Sequence, residues 1–488
     1  MSSTNKHRSL LKRLARQAMI GRGLLPDFSK EIQKKLGDLE NNIDQKKLPT
    51  RDLRDYPWCS IDNDDSRDLD QLTLSQTLPD GTVKIFVAIA DVDFLVKRNS
   101  AIDQHASHNT TSVYTSAEIF PMLPEKLSTN LTSLNVAVDR PAIVIEMTLS
   151  TEGSVKNGEV YQAMVRNKAK LTYNSVARWL ENRDTVPSDI LSIIGLEENI
   201  NAQDKWAQKL RHFRFENGAL GLQTIQSKAI FHEDEVTELQ VDQHNRAAEL
   251  IEDFMVAANG VVARFLKEQG YPSLQRVVRT PKHWDRIVEI ASGNNWSLPR
   301  DPNGSALEDF LKSESKKDPL KFPDLSLSII KLLGKGEYVV EFPEEKPLGH
   351  FGLAVKDYTH STAPNRRFPD LITQRILKCA LNKGPIPYQQ EELVKLAKHC
   401  TKREDDANKV ERQVHKSTAA LLLSSRIGQH FEGVCTGAAD KGTWVRLFNP
   451  PVEGRLVEGF KGVKVGQHLQ VKLLFTDIER GFIDFKRI

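Results

Sequence analysis

Five aspartates fall within the nine positions 62 to 70, in the run Ser60-Ile61-Asp62-Asn63-Asp64-Asp65-Ser66-Arg67-Asp68-Leu69-Asp70-Gln71. Strand-like sequence flanks this run: residues 58–61 before it, and Leu72 and Leu74 alternating with Thr73 and Ser75 after it. Any fold for this chain must therefore hold an acid-rich loop between two strands. Neighbouring carboxylates repel one another unless a cation or an arginine is close. An acidic solvated turn is one solution. The other is a site for a hard divalent cation, magnesium or manganese, which oxygen ligands select.

Around this loop the chain mixes both kinds of periodicity. Residues 1–50 are predicted to be helical, with Leu10, Leu11, Leu14 and Met19 at near-helical spacing and Pro26 as a breaker. Pro79-Asp80-Gly81 is a turn signal, and residues 84–96 are predicted as one long strand buried on both faces. A further strand is expected over 142–149. Residues 246–268 carry an apolar stripe of Leu250, Ile251, Phe254, Met255, Ala258, Val261, Val262 and Phe265, which predicts one strong helix. Residues 299–327, rich in Pro, Ser, Asp and Lys, are expected to form an exposed insertion or loop. Helices are predicted over 369–381 and 389–425. From about residue 427 the texture changes to short strands at 431–436, 443–447, 454–457, 468–475 and 481–485, the pattern of a small barrel.

A chain of 488 residues is too long for one ordinary domain. No apolar run approaches the ~18 residues a membrane span needs, so no membrane partner is expected. The net charge of +3 says little about partners, but its distribution says more. Lys6, Arg8, Lys12, Arg13, Arg16 and Arg22 precede the first acid, Asp27. Such an arm suits nucleic-acid contact, an organelle transit peptide, or a basic helix packed on the next domain. The four cysteines, Cys59, Cys379, Cys400 and Cys435, show neither zinc spacing nor a disulfide framework, so a reducing, cytoplasmic setting is expected.

The acid run has the pattern Ile-Asp-x5-Asp-x-Asp, and other blocks follow it in order. They are Ala90-Asp91-Val92, then Thr111-Ser112-Val113-Tyr114 with Pro121-Met122-Leu123-Pro124-Glu125, then Ser133-Leu134-Asn135 with Asp139-Arg140. Next come Ile251-Glu252-Asp253-Phe254-Met255, and finally His350-Phe351-Gly352-Leu353-Ala354 with Tyr358 through Leu371, including Arg366-Arg367. Together these blocks resemble the RNase II/RNase R family, whose catalytic unit is the RNB domain. The resemblance covers roughly residues 55–425. Residues 431–434, 441–442, 445–447, 452–454 and 479–485 are similar to the OB-fold RNA-binding barrel that ends that family.

The resemblance implies a metal-dependent hydrolase that removes nucleotides from RNA 3′ ends as nucleoside 5′-monophosphates. It implies Asp62, Asp68 and Asp70 as ligands for Mg2+ or Mn2+, with Asp70 tied most directly to catalysis. Arg366 is implied to stabilise charge on the scissile phosphate, with Arg367 as a second phosphate contact at a helix N-terminus. Tyr114 is implied to stack on the 3′-terminal base, Glu252 to contact the nearby ribose, and Trp444 and Arg446 to offer a stacking face and a cation on the barrel. Each has a plainer alternative: a half-buried core tyrosine at 114, a solvated helix face at Glu252, barrel core at Trp444, unliganded surface arginines at 366 and 367. Asp64 and Asp65 are expected to be solvated, and His350 and His360 to be structural or loop residues.

The chain also departs from the family pattern. Gln71 stands where the family has a further aspartate, so a neutral carbonyl oxygen replaces an anionic ligand. Ala88 and Phe94 replace histidines, Ala363-Pro364-Asn365 replaces Ser-Pro-Ile before the arginines, and Leu222 replaces an aromatic that some members use. Only about 60 residues precede Asp62, too few for the two cold-shock domains of the long members. The expectation is therefore an α+β protein with three parts: a helical basic segment (1–54), an RNB-type catalytic domain (55–425) and a C-terminal OB-fold β-barrel (426–488). It is expected to act as a monomer on single-stranded RNA. The alternative is a catalytically impaired RNA-binding protein on the same fold, owing to Gln71.

Overall fold

The computed structural model describes residues 7–39, 48–242, 244–319, 321–439 and 442–488. Two helices open the chain, α1 (His7–Gly21) and α2 (Lys30–Leu39). Strands β1 (Cys59–Asp62), β2 (Gln71–Thr77) and β3 (Val83–Ala90) follow, then α3 (Ala101–Asn109) and a small hairpin, β4 (Val113–Tyr114) with β5 (Ile119–Phe120). Next are β6 (Asp139–Leu149), β7 (Val155–Arg166), β8 (Ala169–Thr172) and α4 (Tyr173–Leu180), α5 (Ser188–Leu191) and α6 (Leu196–Glu216). Hairpin β9 (Gln226–His232) and β10 (Glu235–Asp242) leads to α7 (Arg246–Glu268). Strands β11 (Ser273–Val277) and β12 (Glu337–Glu341) pair across an excursion of three helices, α8 (Trp284–Gly293), α9 (Gly304–Lys317) and α10 (Phe322–Leu333). Helices α11 (Phe368–Leu381) and α12 (Gln390–Leu423) precede strands β13 (His430–Ala439), β14 (Gly442–Leu447), β15 (Glu453–Glu458), β16 (His468–Asp477) and β17 (Phe482–Arg487).

The central sheet has the order β7-β6-β3-β2-β1-β8, antiparallel except for the parallel β1–β8 pair. Its strands bury Ile61, Leu72, Leu74, Ile85, Val87, Ile89, Val144 and Ile145, the apolar alternation that made them legible as strands. Helix α7 packs on this sheet through Leu250, Phe254, Ala258, Val261 and Val262, over the bounds its periodicity predicts. The last five strands close into a barrel of order β13-β14-β15-β17-β16, so no sheet edge is left open.

Two expectations need correction. The strand predicted over 84–96 ends at Ala90, because the Asp91 side chain accepts from Phe94 N at 3.0 Å and starts a 3-10 turn. Residues 299–327 are not an exposed loop. They form α9 and the start of α10, with a core of their own built on Leu307, Phe310, Leu311, Phe322 and Ile329. Two residues start these helices: Asn303 caps α9 by accepting from Ala306 N, and Pro323 sits in the first turn of α10.

The basic arm is a packed helix. α1 buries Leu11, Leu14, Ala15 and Met19. Its arginines are drawn into ion pairs: Arg8 with Asp234, Arg13 with Glu479, Arg16 with Asp27 and Glu118. Lys6 lies outside the described residues. Among the described residues no helix is long and apolar enough to cross a membrane, and all four cysteines are unpaired.

Candidate active site

The acid loop leaves β1 and returns into β2, with Ser133 and Lys170 holding its shape. Ser133 Oγ accepts from Leu69 N at 2.9 Å, and Lys170 Nζ donates to Ser66 O at 2.6 Å. Asp62 Oδ1 accepts from Ser66 Oγ and Asn63 N, both at 2.8 Å. The outer pair behaves as the sequence suggests: Asp64 accepts from Asn174 and the exposed Asp65 pairs with Lys228. Asp68 and Asp70 turn inward.

Asp70 is 1% exposed, and its two oxygens face one short loop. Oδ1 accepts from the backbone N–H of Asn365 and Oδ2 from Arg366 Nε, each at 3.1 Å. Burial, reinforced by the charge of Asp68, pushes the Asp70 carboxyl up to about 7, against the pull of Arg366 and the Asn365 N–H. Burial also raises Asp68, with Asp62 adding to it. The loop is locked in place from both sides. Thr132 Oγ1 is 2.5 Å from Asn365 Oδ1, Ser112 N donates to Arg366 O, and Phe368 N donates to Thr110 O as α11 begins.

Those last bonds tie the arginine loop to the β4–β5 hairpin. Tyr114 extends from it, 42% exposed, and burial with the charges of Asp68 and Asp70 raises its pKa against the pull of Arg366. Tyr173, at the head of α4, is raised by burial and by Asp62. Asp62, Asp68, Asp70, Arg366 and Tyr114 thus share one site. Gln71 lies beside them in sequence, 6% exposed at the head of β2, paired with Ile89.

Glu252 stands on α7 beyond this group. Its carboxylate is 3.4 Å from His244 Nε2 and 4.0 Å from Arg214. Half-burial works to raise its pKa, but the His244 hydrogen bond and the two arginines Arg214 and Arg211 hold it below the ordinary value. Asn174 connects the two regions, donating to Asp64 and lying 3.4 Å from Asn245, the cap of α7.

Two expected cations are committed elsewhere. Arg367 grips Asp370 with both Nε and Nη2, at 2.8 and 2.7 Å, and Asp370 is fully buried. Arg446 makes the same forked contact with Asp324 of α10, at 3.2 and 2.8 Å, its side chain only 13% exposed. Both guanidiniums read as RNA contacts are thus ion-paired within the fold. Trp444 is half-buried on the barrel, its ring closing over the Gly437 and Gly442 backbone. His350 and His360 are structural: the first caps the turn Phe351–Leu353, and the second is 2.8 Å from the Tyr338 hydroxyl.

The carboxylate set is chemically suited to a hard divalent cation. Yet among the described residues no group of three or more His, Cys, Asp and Glu side chains converges to cage an ion. Sequence reasoning missed Asn365 N, Tyr173 and Lys170. Asn365 was visible as a departure, but a backbone donor leaves no trace in side-chain patterns.

Comparison with known proteins agrees with this architecture. Residues 50–383 match the RNB domain, and residues 429–488 match the RNase II-type exonuclease C-terminal S1 domain. Ribonuclease R of Escherichia coli K12 is 30% identical over 446 residues, covering 87% of this chain and 53% of that protein. The chain thus spans about half the length of this relative. The structure of Mycoplasma genitalium RNase R in complex with ribose-methylated single-stranded RNA superposes with a TM-score of 0.87 at 25% identity, covering 98% of this chain and 78% of that one. The fold alone is shared with yeast Ssd1, a pseudonuclease, at TM-score 0.66 and 16% identity over 88% of this chain and 56% of that one.

Proposed function

Because the chain belongs to the RNB-domain family, we propose that it is a hydrolytic exoribonuclease that shortens single-stranded RNA from the 3′ end and releases nucleoside 5′-monophosphates. The observation that carries this is the buried Asp70, held by Asn365 N–H and Arg366, with the half-buried carboxylate of Asp68 near enough to push it up. Such an arrangement maintains acid oxygens and one cation at fixed positions, which suits a phosphodiester whose charge must be neutralised as it is attacked. The division of labour follows the three segments: 1–54 as the N-terminal arm, 55–425 as the catalytic unit, and 426–488 as the RNA-guiding barrel.

In this scheme Tyr114 stacks on the 3′-terminal base, and Glu252 accepts from the ribose hydroxyl of the incoming strand. Arg366, whose side chain is 45% exposed, turns its free N–H groups toward the scissile phosphate while Nε stays on Asp70. Water adds to phosphorus and the P–O3′ bond breaks. The released nucleotide keeps the 5′-phosphate and the shortened chain regains a 3′-hydroxyl. Asp62, Asp68 and Asp70 would hold Mg2+ or Mn2+, with the Gln71 carbonyl in place of a fourth carboxylate. When bound, the cation supplies charge neutralisation and a nucleophilic water at neutral pH.

Gln71 favours a second reading, a catalytically impaired RNA-binding protein, because it removes one anionic ligand. The two are separated by incubating 5′-labelled single-stranded RNA with magnesium and wild type, Asp70→Asn or Gln71→Asp. A ladder shrinking from the 3′ end that vanishes in Asp70→Asn supports the exonuclease. Bound but uncleaved RNA, with cleavage gained in Gln71→Asp, supports the impaired protein. Internal fragments would overturn the 3′-end assignment.

A further inference from the structure

The β4–β5 hairpin divides its residues cleanly between two faces. Val113 pairs with Phe120, and both are buried against Ala407, Val410 and Val414 of α12. Tyr114 pairs with Ile119, and these stand 42% and 57% exposed. Directly paired side chains on one face are ~5 Å apart, so Tyr114 and Ile119 form a continuous apolar patch. That patch borders the acid site, since the hairpin is tied to the arginine loop by Ser112 N donating to Arg366 O at 2.9 Å and by the Thr111–Arg367 bridge.

Beside the apolar seam beneath the hairpin, α12 carries Glu411, next to Val410 in sequence. Glu411 Oε1 accepts from the backbone N–H of Tyr114 at 2.7 Å. Glu411 is half-buried, and burial pushes its pKa up while the Tyr114 N–H pulls it back. Among the described residues no lysine, arginine or histidine forms an ion pair with it. A half-buried carboxylate without a cation is unfavourable beside a seam that Val410 and Val414 already fill. Its gain is a charge-assisted bond, roughly twice as strong as a neutral one, to the backbone of the residue that carries the patch. A two-residue strand has little ladder of its own to fix its orientation.

We propose that Glu411 is a positioning residue for the Tyr114–Ile119 patch, fixing the platform on which the 3′-terminal base of the RNA packs. This rests on the assignment of Tyr114 as the stacking residue. Glu411 contacts no RNA itself. It sets the angle at which the hairpin presents its two exposed side chains to the acid site.

The test measures binding without turnover, in EDTA. Two 5′-fluorescent single-stranded RNAs of equal length are compared, one ending in a 3′ base and one in a 3′ abasic nucleotide. Wild type is expected to prefer the base by roughly 10-fold, within the range for one base–aromatic stack. Tyr114→Ala should bring that ratio near one. Glu411→Met, which fills the same volume but accepts nothing, should do likewise, and the double variant should lose nothing further. Glu411→Gln keeps an acceptor and should keep the preference. A Glu411→Met protein that weakens both RNAs equally, or retains the full ratio, overturns the inference while leaving the Tyr114 assignment intact. No preference in wild type overturns that assignment and the inference with it. If Glu411→Met does not fold, Glu411→Ala reads the same ratio.

Discussion

Asp70 is held in a state that the fold opposes, and removing its charge should expose that opposition. Its pKa is pushed from 3.8 to about 7, a difference of about three units. At 1.36 kcal/mol per unit, the ionised carboxylate costs the metal-free native state ~4 kcal/mol above pH 7. The sign follows from proton binding. A carboxylate raised in the fold adds stability below its unfolded value of 3.8, and that contribution is lost as pH rises through about 7. Asp70→Asn has no such loss. It keeps one oxygen for either Asn365 N–H or Arg366, but turns an amide N–H2 toward the other, which offsets ~1–3 kcal/mol.

The expected outcome in EDTA at pH 8 is a variant more stable than wild type by ~1–3 kcal/mol, although it is catalytically dead. At pH 5 wild-type Asp70 is already protonated, so the advantage should shrink by ~2–3 kcal/mol. Urea titrations of both proteins from pH 5 to 8 measure the difference, in which every other titrating group cancels. Magnesium at pH 8 should then stabilise wild type more than the variant. A stability difference that stays constant from pH 5 to 8 would refute the claim that Asp70 is strained by burial.

The other predictions concern groups that the fold has already committed. Arg446→Ala should destabilise the protein by ~3 kcal/mol by leaving Asp324 unpaired in the contact between α10 and the barrel, and Arg446→Leu with Asp324→Leu should recover most of it; an Arg446→Ala variant that merely flattens the salt dependence of RNA binding would favour a phosphate role. Arg367→Ala should unfold at markedly lower urea because Asp370 is fully buried; Arg366→Gln, which keeps an amide N–H for the buried Asp70, should lower stability less and cut kcat by at least ~100-fold in the RNA ladder assay. His105, 6% exposed against Phe28, is lowered by burial to about 4, so its contribution is present above pH 6.5 and lost as pH falls toward 4; the stability gap between wild type and His105→Gln should narrow over that window.

These predictions mark where sequence legibility ended. The acid loop and the arginine block could be read because their chemistry requires given residue types in a fixed local order. Helix α7 could be read because its stripe is long and regular. What stayed hidden was closure: Asp70 meets Asn365 and Arg366 across 295 and 296 positions, and no local pattern encodes that contact. Residues 299–327 were misread for a different reason. Asn303 and Pro323 carry the same composition whether they end helices or begin them, and only the buried Phe310 and Ile329 beyond them decide.

The arginines show most plainly what a sequence withholds. A guanidinium in a matched block announces a cation but not its partner. For Arg367 the partner was within reach, since Asp370 lies three residues on in the first turn of α11. For Arg446 it lies 122 positions away in a segment expected to be a loop. Arg366 differs from both. Its partner is the site's own Asp70, it spends only one N–H on that bond, and 45% of its side chain remains exposed. A phosphate can therefore engage the other N–H groups of Arg366 while Nε stays on Asp70, whereas Arg367 and Arg446 each commit two N–H groups to Asp370 and Asp324. Of the four arginine and tryptophan positions matched to RNA contact, Arg366 is the one whose electrostatics leave it able to exchange partners during a reaction.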